Sequence, residues 1–424
     1  MRSLLPLTLV IVAACAAPEP ACGGADVDWA RASGAMATLV ASDDGDLVVG
    51  TDVLERLGPD GVPIWVRDFG ASRFALGAGS IAIAGQFSVS LDVGDVHLTT
   101  SSASEGFVVV LTNDGTAVAG ATLGALVPQA IALGNDGTVL VTGMQPGALD
   151  LGTGPLASQP GLALVALATE TVPTGLHALW AHDLSAAESG DSSSAIVIDH
   201  DTALVAFALE GTSDLDGHPI TSAGMSDVAI ARFAVSGGAV VASARFGGAD
   251  DDAHQGYLGD PLGLAVSADG ASIAISTAAR ADTDYGDGLL ALQGGGADAA
   301  LLVLDADFSL RFARMLGGPG FDAPGAVAIG RDGAIAMVGT TGHATTDGPF
   351  ACSGTSALPI VVLDHEGSLR GWECFPADDL VAGLAVALPA DGSVLVSGFT
   401  TAPFTLGTVP ITRGFVASFR LHCR

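Results

Sequence analysis

Apolar residues in this chain come in short runs, each stopped by polar or glycine-rich punctuation. Gln129-Ala130-Ile131-Ala132-Leu133 stops at Asn135-Asp136-Gly137, and Leu264-Ala265-Val266 stops at Asp269-Gly270. Ala326-Val327-Ala328-Ile329 stops at Asp332-Gly333, and Leu384-Ala385-Val386 stops at Asp391-Gly392. Short runs bounded by turn residues predict strands. Asp-Gly between two such runs predicts a tight hairpin, because that turn asks for positive φ at its central residues.

The runs repeat as a unit roughly every 60 residues. Each unit reads as strand, tight turn, strand, longer variable connection, strand, tight turn, strand. Seven first strands begin near Ala37, Phe74, Gln129, Ala195, Gly263, Gly325 and Gly383. The repeat overrides the two or three domains that 424 residues would otherwise suggest. Unit one lacks the long insertion between its second and third strands, and unit two lacks Asp-Gly at its first turn, having Gly77-Ala78-Gly79.

The last unit, from Leu380, holds three strands and ends in Gly414-Phe415-Val416-Ala417-Ser418-Phe419-Arg420. An orphan strand of the fourth type, Asp28-Trp29-Ala30-Arg31, precedes the first unit. An open ring would leave two bare strand edges, and pairing the orphan with the last unit removes both. The expectation is an all-β chain. It forms a single closed β-propeller of seven four-stranded blades over residues 26–424, with residues 26–34 completing the last blade.

The fourth strand marks the register. Trp65-Val66-Arg67-Asp68-Phe69-Gly70 aligns with Phe312-Ala313-Arg314-Met315-Leu316-Gly317. At the Trp65 position the other copies carry Trp29, Ala119, Trp180, Ala242 and Trp372, so all four tryptophans share one repeat position. They could stack on a sugar or pack between blades, and the area an aromatic ring buries favours packing.

The N-terminus departs from the repeat. Met1-Arg2-Ser3 is a short positive region, Leu4 to Val12 is apolar but too short to span a bilayer, and Val12-Ala13-Ala14-Cys15 follows. This resembles the lipobox of bacterial lipoproteins, in which small residues precede a cysteine that receives diacylglycerol. It implies a signal peptide over 1–14, lipidation of Cys15, and a short tether over 15–25. Ala16 in the next position resembles lipoproteins sorted to an outer membrane, facing the periplasm or the cell surface. Ordinary signal cleavage near Ala16 is the alternative.

Composition narrows the partners. The formal net charge is −31, and all 15 basic residues are arginine. That field disfavours nucleic acid and keeps the surface solvated. The 58 glycines and 20 prolines agree with a turn-rich chain. Hydrophobic residues make up 49%, yet no long apolar run follows the leader, as expected of strands buried on both faces.

Besides Cys15 there are Cys22, Cys352, Cys374 and Cys423, an even count that suits disulfides in an exported chain. Four cysteines allow three connectivities. Antiparallel closure puts Cys22, just before the orphan strand, beside Cys423, just after the last strand. Cys352 and Cys374 fall in one blade. The topology therefore selects Cys22–Cys423 and Cys352–Cys374.

Leu149-Asp150-Leu151-Gly152 follows a second strand, and Leu91-Asp92-Val93-Gly94, Asp214-Leu215-Asp216-Gly217 and Thr405-Leu406-Gly407 echo it. With these motifs the mature chain resembles bacterial seven-bladed β-propeller repeat proteins, many of them secreted or lipid-anchored. The resemblance implies a fold and rarely a function.

Catalytic signatures are sparse. Without lysine there is no phosphate-binding loop and no lysine Schiff base. No Gly-x-Ser-x-Gly or His-Glu-x-x-His occurs. Gly152-Thr153-Gly154 with Ala157, and Gly318-Pro319-Gly320 with Ala323, match a dinucleotide fingerprint by spacing but open no helix. Two acid-rich connections remain. Asp250, Asp251 and Asp252, with His254, Tyr257 and Asp260, lie between blades four and five. Asp282, Asp284 and Asp287 lie in the next second-to-third connection. Both belong to the face opposite the tight turns. Alternating aspartates in a glycine-containing loop suit Ca²⁺, and the competing reading is that they cap turns.

The expectation is a non-enzymatic binding or scaffold module of the cell envelope. It would be held at the membrane by its lipid, with a protein or envelope polymer as partner. The alternative is an envelope hydrolase or lyase working in the central funnel, which needs convergent polar side chains on the first strands.

Overall fold

The computed structural model describes residues 22–23, 25–41, 47–50, 53–68, 73–77, 79–100, 102–156, 160–171, 174–184, 194–253, 262–342, 352 and 354–421. Among these, regular structure is all β. Seven antiparallel sheets follow one another along the chain, and each is built as the repeat predicts. Their inner strands are Thr38–Ala41, Arg73–Gly77, Val127–Leu133, Ser194–Asp199, Gly263–Val266, Asp322–Ile329 and Val381–Ala387. Each inner strand touches the next, and Val381–Ala387 touches Thr38–Ala41, so the ring is closed.

Closure runs through the N-terminal strand. Ala25–Ser33 pairs antiparallel with Gly414–Leu421, from Ala25 opposite Leu421 to Ser33 opposite Gly414. The seam with blade one is apolar: Ala37, Leu47, Val49 and Leu57 pack on Leu395 and Val416. Arg31 adds an ion pair to Glu55 at 3.2 Å. Ahead of the closing strand, Cys22–Gly23 pairs in parallel with Gly371 and Trp372 on the outer edge of blade six.

The second and third strands are the most buried, because a neighbouring blade covers each face. Ile81–Ala84 and Val108–Val110 in blade two, and Leu162–Leu167 in blade three, are almost completely hidden. All seven blades carry a register shift where the third strand meets the fourth. Examples are Arg56/Leu57, Val110/Leu111, Ala166/Leu167 and Val362/Leu363. Such a bulge bends the outer strand and strengthens its twist.

That bulge locates the tryptophans. Trp65 pairs with Arg56, Trp180 with Ala166 and Trp29 with Ser418, each at the last pair before the shift. In blade six that place is held by Gly371 opposite Val362, and Trp372 lies one residue on, opposite Val361. Three tryptophans therefore share the repeat position and the fourth does not. A displacement of one residue in a strand turns the side chain to the other face.

The repeated Leu-Asp-Leu-Gly motif is also explained. It forms the tip of a short projection between second and third strands, with positive φ at Gly94, Asp216, Gly217 and Gly407. Its apolar residue folds back under the blade: Val93, Leu149, Leu215 and Leu406 are buried in four separate cores. Cys352 and Cys374 are bonded, closing a loop of sequence separation 22 in blade six. The expected Cys22–Cys423 bond falls outside the described residues, as do Cys15 and the leader.

Candidate functional site

The connections between second and third strands, and those from one blade to the next, emerge on one face. The tight turns occupy the other. On the turn face, Asp60, Asp114, Asp136, Asp269, Asp307, Asp332, Asp364 and Asp391 each accept a hydrogen bond from the backbone N–H two residues on, at 2.9 to 3.1 Å. Aspartate in that role fixes the turn locally and does not gather a site.

On the loop face the two acid-rich connections do meet. Thr283 donates its hydroxyl to Asp252 Oδ1, and Tyr285 donates its hydroxyl to the Asp252 carbonyl oxygen at 3.1 Å. Asp251 lies 3.9 Å from Arg280. Asp282 Oδ1 accepts the Leu292 N–H at 2.9 Å, and Asp284 Oδ1 accepts those of Gly286 and Gly288 at 2.8 and 3.0 Å. Asp250 and Asp287 are exposed. Of the expected calcium ligands, Asp251, Asp252, Asp282 and Asp284 are thus engaged with backbone amides, hydroxyls or an arginine. Among the described residues, no group of three or more His, Cys, Asp or Glu is placed to hold a metal. His254, Tyr257 and Asp260 lie outside the described residues.

Two pairs of buried aspartates are the unusual feature of this face. Asp298 opens the third strand of blade five and Asp227 lies within that of blade four, His218–Ala234; Asp252 lies in the connection after blade four, and Asp322 opens the inner strand of blade six. Asp227, Asp252 and Asp298 are 0% exposed and Asp322 is 1% exposed. The local geometry repeats: Gly248 N–H donates to Asp252 Oδ2 and Gly318 N–H to Asp322 Oδ2, the latter at 2.6 Å. Gly342 N–H reaches Asp322 Oδ1 at 3.2 Å. Burial pushes the Asp252 carboxyl above its ordinary value. Asp298 is raised by burial as well. Asp322 is pushed up to about 7, first by burial and then by the adjacent Asp298.

A groove of about 840 Å³ opens on the same face across blades five to seven. Gly320 and Phe321 come from the connection into blade six, Thr340 and Gly342 from its second strand, and Asp378 and Asp379 from the connection into blade seven. Its lining carries two carboxylates, four hydroxyls and no basic side chain among the described residues. Thr355 donates to the Asp378 carbonyl oxygen at 2.6 Å, fixing the rim. A smaller cavity of about 40 Å³ lies between Gly317, Gly318, Asp322 and Thr341, and Thr340 lines both.

The described inner strands carry three charged side chains, Arg73, Asp199 and Asp322. Arg73 donates to the Gln129 carbonyl oxygen, and Asp199 faces Arg232 at 3.6 Å. Asp322 is buried between blades. The three therefore do not converge.

No protein-family model matches this chain. A search of curated proteins finds no match either. Among solved structures, it is similar to the quinohemoprotein alcohol dehydrogenase of Comamonas testosteroni at 10% identity and a TM-score of 0.45, covering 88% of this chain and 65% of that one. It is also similar to Sqt1 of Saccharomyces cerevisiae at 9% identity and a TM-score of 0.45, covering 96% and 100%. The Dos1 propeller matches at 12% identity and a TM-score of 0.38, covering 84% and 92%. The chain thus spans about two thirds of the length of the dehydrogenase.

Proposed function

We propose that this protein is a non-enzymatic binding module of the cell envelope, with its ligand seated on the loop face. The groove between blades five and seven carries the reading. Its volume falls within the range of small-ligand sites. Carboxylates and hydroxyls without a base suit a neutral, hydroxyl-rich or cationic group on a protein or envelope polymer, and the net charge of −31 repels polyanions.

The anchor belongs to the same proposal: export, lipidation at Cys15, and retention at the outer membrane. Ala25, where the closing strand begins, lies opposite Leu421 at the turn face. An anchor ahead of it leaves the groove turned away from the lipid.

The test is capture from native membranes with the wild-type chain and with Asp378→Asn/Asp379→Asn. The expected result is a bound partner that the double variant loses. Equal capture by both, or none by either, counts against the groove. Intact mass of the mature chain decides the anchor: an acylated N-terminal cysteine supports it, and an unmodified chain beginning at Ala16 or Ala17 overturns it.

A further inference from the structure

We propose that Asp298 and Asp322 form a one-proton lock on the seam between blades five and six. Asp322 holds the proton and donates it to Asp298, and losing that proton loosens the wall of the loop-face groove.

Asp227 and Asp298 stand at the same register: Ala229, two residues after Asp227, pairs with Arg245, and Ala300, two residues after Asp298, pairs with Met315. Met315 therefore occupies in blade five the place that Arg245 holds in blade four. Arg245 Nη1 donates to Asp227 Oδ2 at 2.7 Å and to the Gly247 carbonyl oxygen at 2.9 Å. In blade four a guanidinium thus neutralises the buried pair. In blade five that charge is replaced by a thioether.

The second pair still needs a positive charge or a proton, because two carboxylates buried side by side cannot both ionise cheaply. Asp298 Oδ2 accepts the Gln293 N–H, but among the described residues Oδ1 receives no N–H or O–H donor. The Asp322 N–H donates to the carbonyl oxygen of Ala297, the residue before Asp298, at 2.8 Å, which sets the two carboxyls next to each other in the seam. A proton on Asp322 supplies the missing donor, while both Asp322 oxygens keep the Gly318 and Gly342 amides.

Among the described residues, the surroundings offer no other compensation. The second and third strands of blade six, Ile335–Gly342 and Ser356–Leu363, contain no charged residue. Neither does the second strand of blade five, Ser272–Ala279. On the outer strand, Arg314 pairs opposite Leu301, on the face away from Met315, and lies over the Phe312 ring at 5.2 Å. Arg280 is paired with Asp251. Asp282 and Asp284 accept backbone amides.

The consequence for the groove rests on the binding reading; the lock itself does not. Asp322 ties down Gly318 and Gly342, and Gly342 lines the groove with its neighbours Gly320 and Phe321. Ionising both carboxyls puts two like charges in one dry seam behind that wall.

The test measures unfolding of the full chain by denaturant from about pH 4.5 to 8.5, for the wild type, Asp322→Asn and Met315→Arg. Between the ordinary carboxyl value of 3.8 and about 7 the folded state binds the extra proton. The unfolding constant of the wild type should then rise by up to tenfold per pH unit and level off above about 7. Asp322→Asn keeps a donor toward Asp298 but cannot ionise, so its profile should lose this rise. Met315→Arg supplies the blade-four cation and should move the level-off at least one unit lower. A carboxyl C=O stretch in infrared difference spectra, present at pH 6 and gone by pH 8.5, reads the same proton without a variant. A wild-type profile flat through this window, an unchanged rise in Asp322→Asn, or no protonated carboxyl at pH 6 overturns the lock.

Discussion

The indole Nε1 of Trp29 donates a 2.9 Å hydrogen bond to the carbonyl oxygen of Pro59, across the seam where the last blade meets the first. Trp65 does the same to Asn113 at 2.8 Å, and Trp180 to Val235 at 2.8 Å. In each case the outer strand of one blade reaches the outer turn of the next. A ring covering one blade and capping a turn carbonyl of its neighbour is an inter-blade rivet, not an open sugar platform.

Trp180 is the most buried of the three and stacks near Phe233, with centroids 6.4 Å apart. Trp180→Phe should keep most of the packing and leave the Val235 carbonyl unpaired, costing about 1 kcal/mol. Trp180→Ala should cost about 3–5 kcal/mol. Denaturant midpoints at constant slope check the order, and equal losses for the two variants would remove the hydrogen bond from the account.

The same rivet constrains the turn beneath it. Gly238 has φ of 73°, and a Cβ there would lie 2.7 Å from the Trp180 ring. Gly392 has φ of 80° with nothing within 4 Å of its missing Cβ. Both Ala variants bear the left-handed penalty of about 1–2 kcal/mol, but Gly238→Ala must also displace the indole. Thermal melts should show the larger loss for Gly238→Ala.

The Cys352–Cys374 bond spans 22 residues and fastens the loop-face end of blade six, next to Thr355 and the groove. Loop-closure entropy gives it about 3 kcal/mol. Replacing both cysteines with serine should lower the unfolding midpoint accordingly and weaken groove binding more than turn-face order. Non-reducing peptide maps would also show whether Cys22 is joined to Cys423, and recovery of Cys22 on Cys352 or Cys374 contradicts the pairing.

The blades were legible because their signals are local. Gly263 and Val381 open strands within two residues of where the apolar runs place them, and Ala25–Ser33 closes the ring as its orphan pattern demands. The tryptophan register was read one residue off in blade six. There Arg370-Gly371-Trp372 places a glycine where the other copies have a side chain, and spacing from Gly367 is the only guide. The buried pairs were missed for a different reason. Asp298 and Asp322 are 24 positions apart in sequence and look like any acidic residues of an acidic chain. Their signal lay in the repeat itself. Gly247-Gly248 with Asp252 four residues later recurs as Gly317-Gly318 with Asp322, and Ser226-Asp227 recurs as Ala297-Asp298 at the head of a buried run. The chance fingerprint at Gly318-Pro319-Gly320 belongs to this motif, since the Gly318 amide holds Asp322.

The pH profile of the whole chain should be lopsided, with greatest stability on the acid side of neutrality. Asp114, Asp269, Asp307 and Asp391 are held below the ordinary carboxylate range, first by the hydroxyls of Thr112, Ser267, Ser309 and Ser393 and then by backbone amides. A depressed carboxyl contributes stability that is present above its unfolded value and lost as pH falls through its folded value. These four therefore bend the profile only at the acid end, where their contribution is lost as pH falls below 3.8. Asp252, Asp298 and Asp322 are raised, so their contribution is full below 3.8 and disappears as pH climbs, for Asp322 by about 7. A shift of that size is worth at most about 4 kcal/mol, less if the pair relaxes. Self-repulsion of an acidic surface pushes the same way as pH rises, but it is screened by salt, whereas a buried pair is screened far less. Thermal melts should therefore peak near pH 4 to 5 in low salt. Raising the salt should flatten part of the alkaline decline while the part removed by Asp322→Asn persists. A maximum above pH 7, or an alkaline decline abolished entirely by salt, would show that surface charge alone sets the profile.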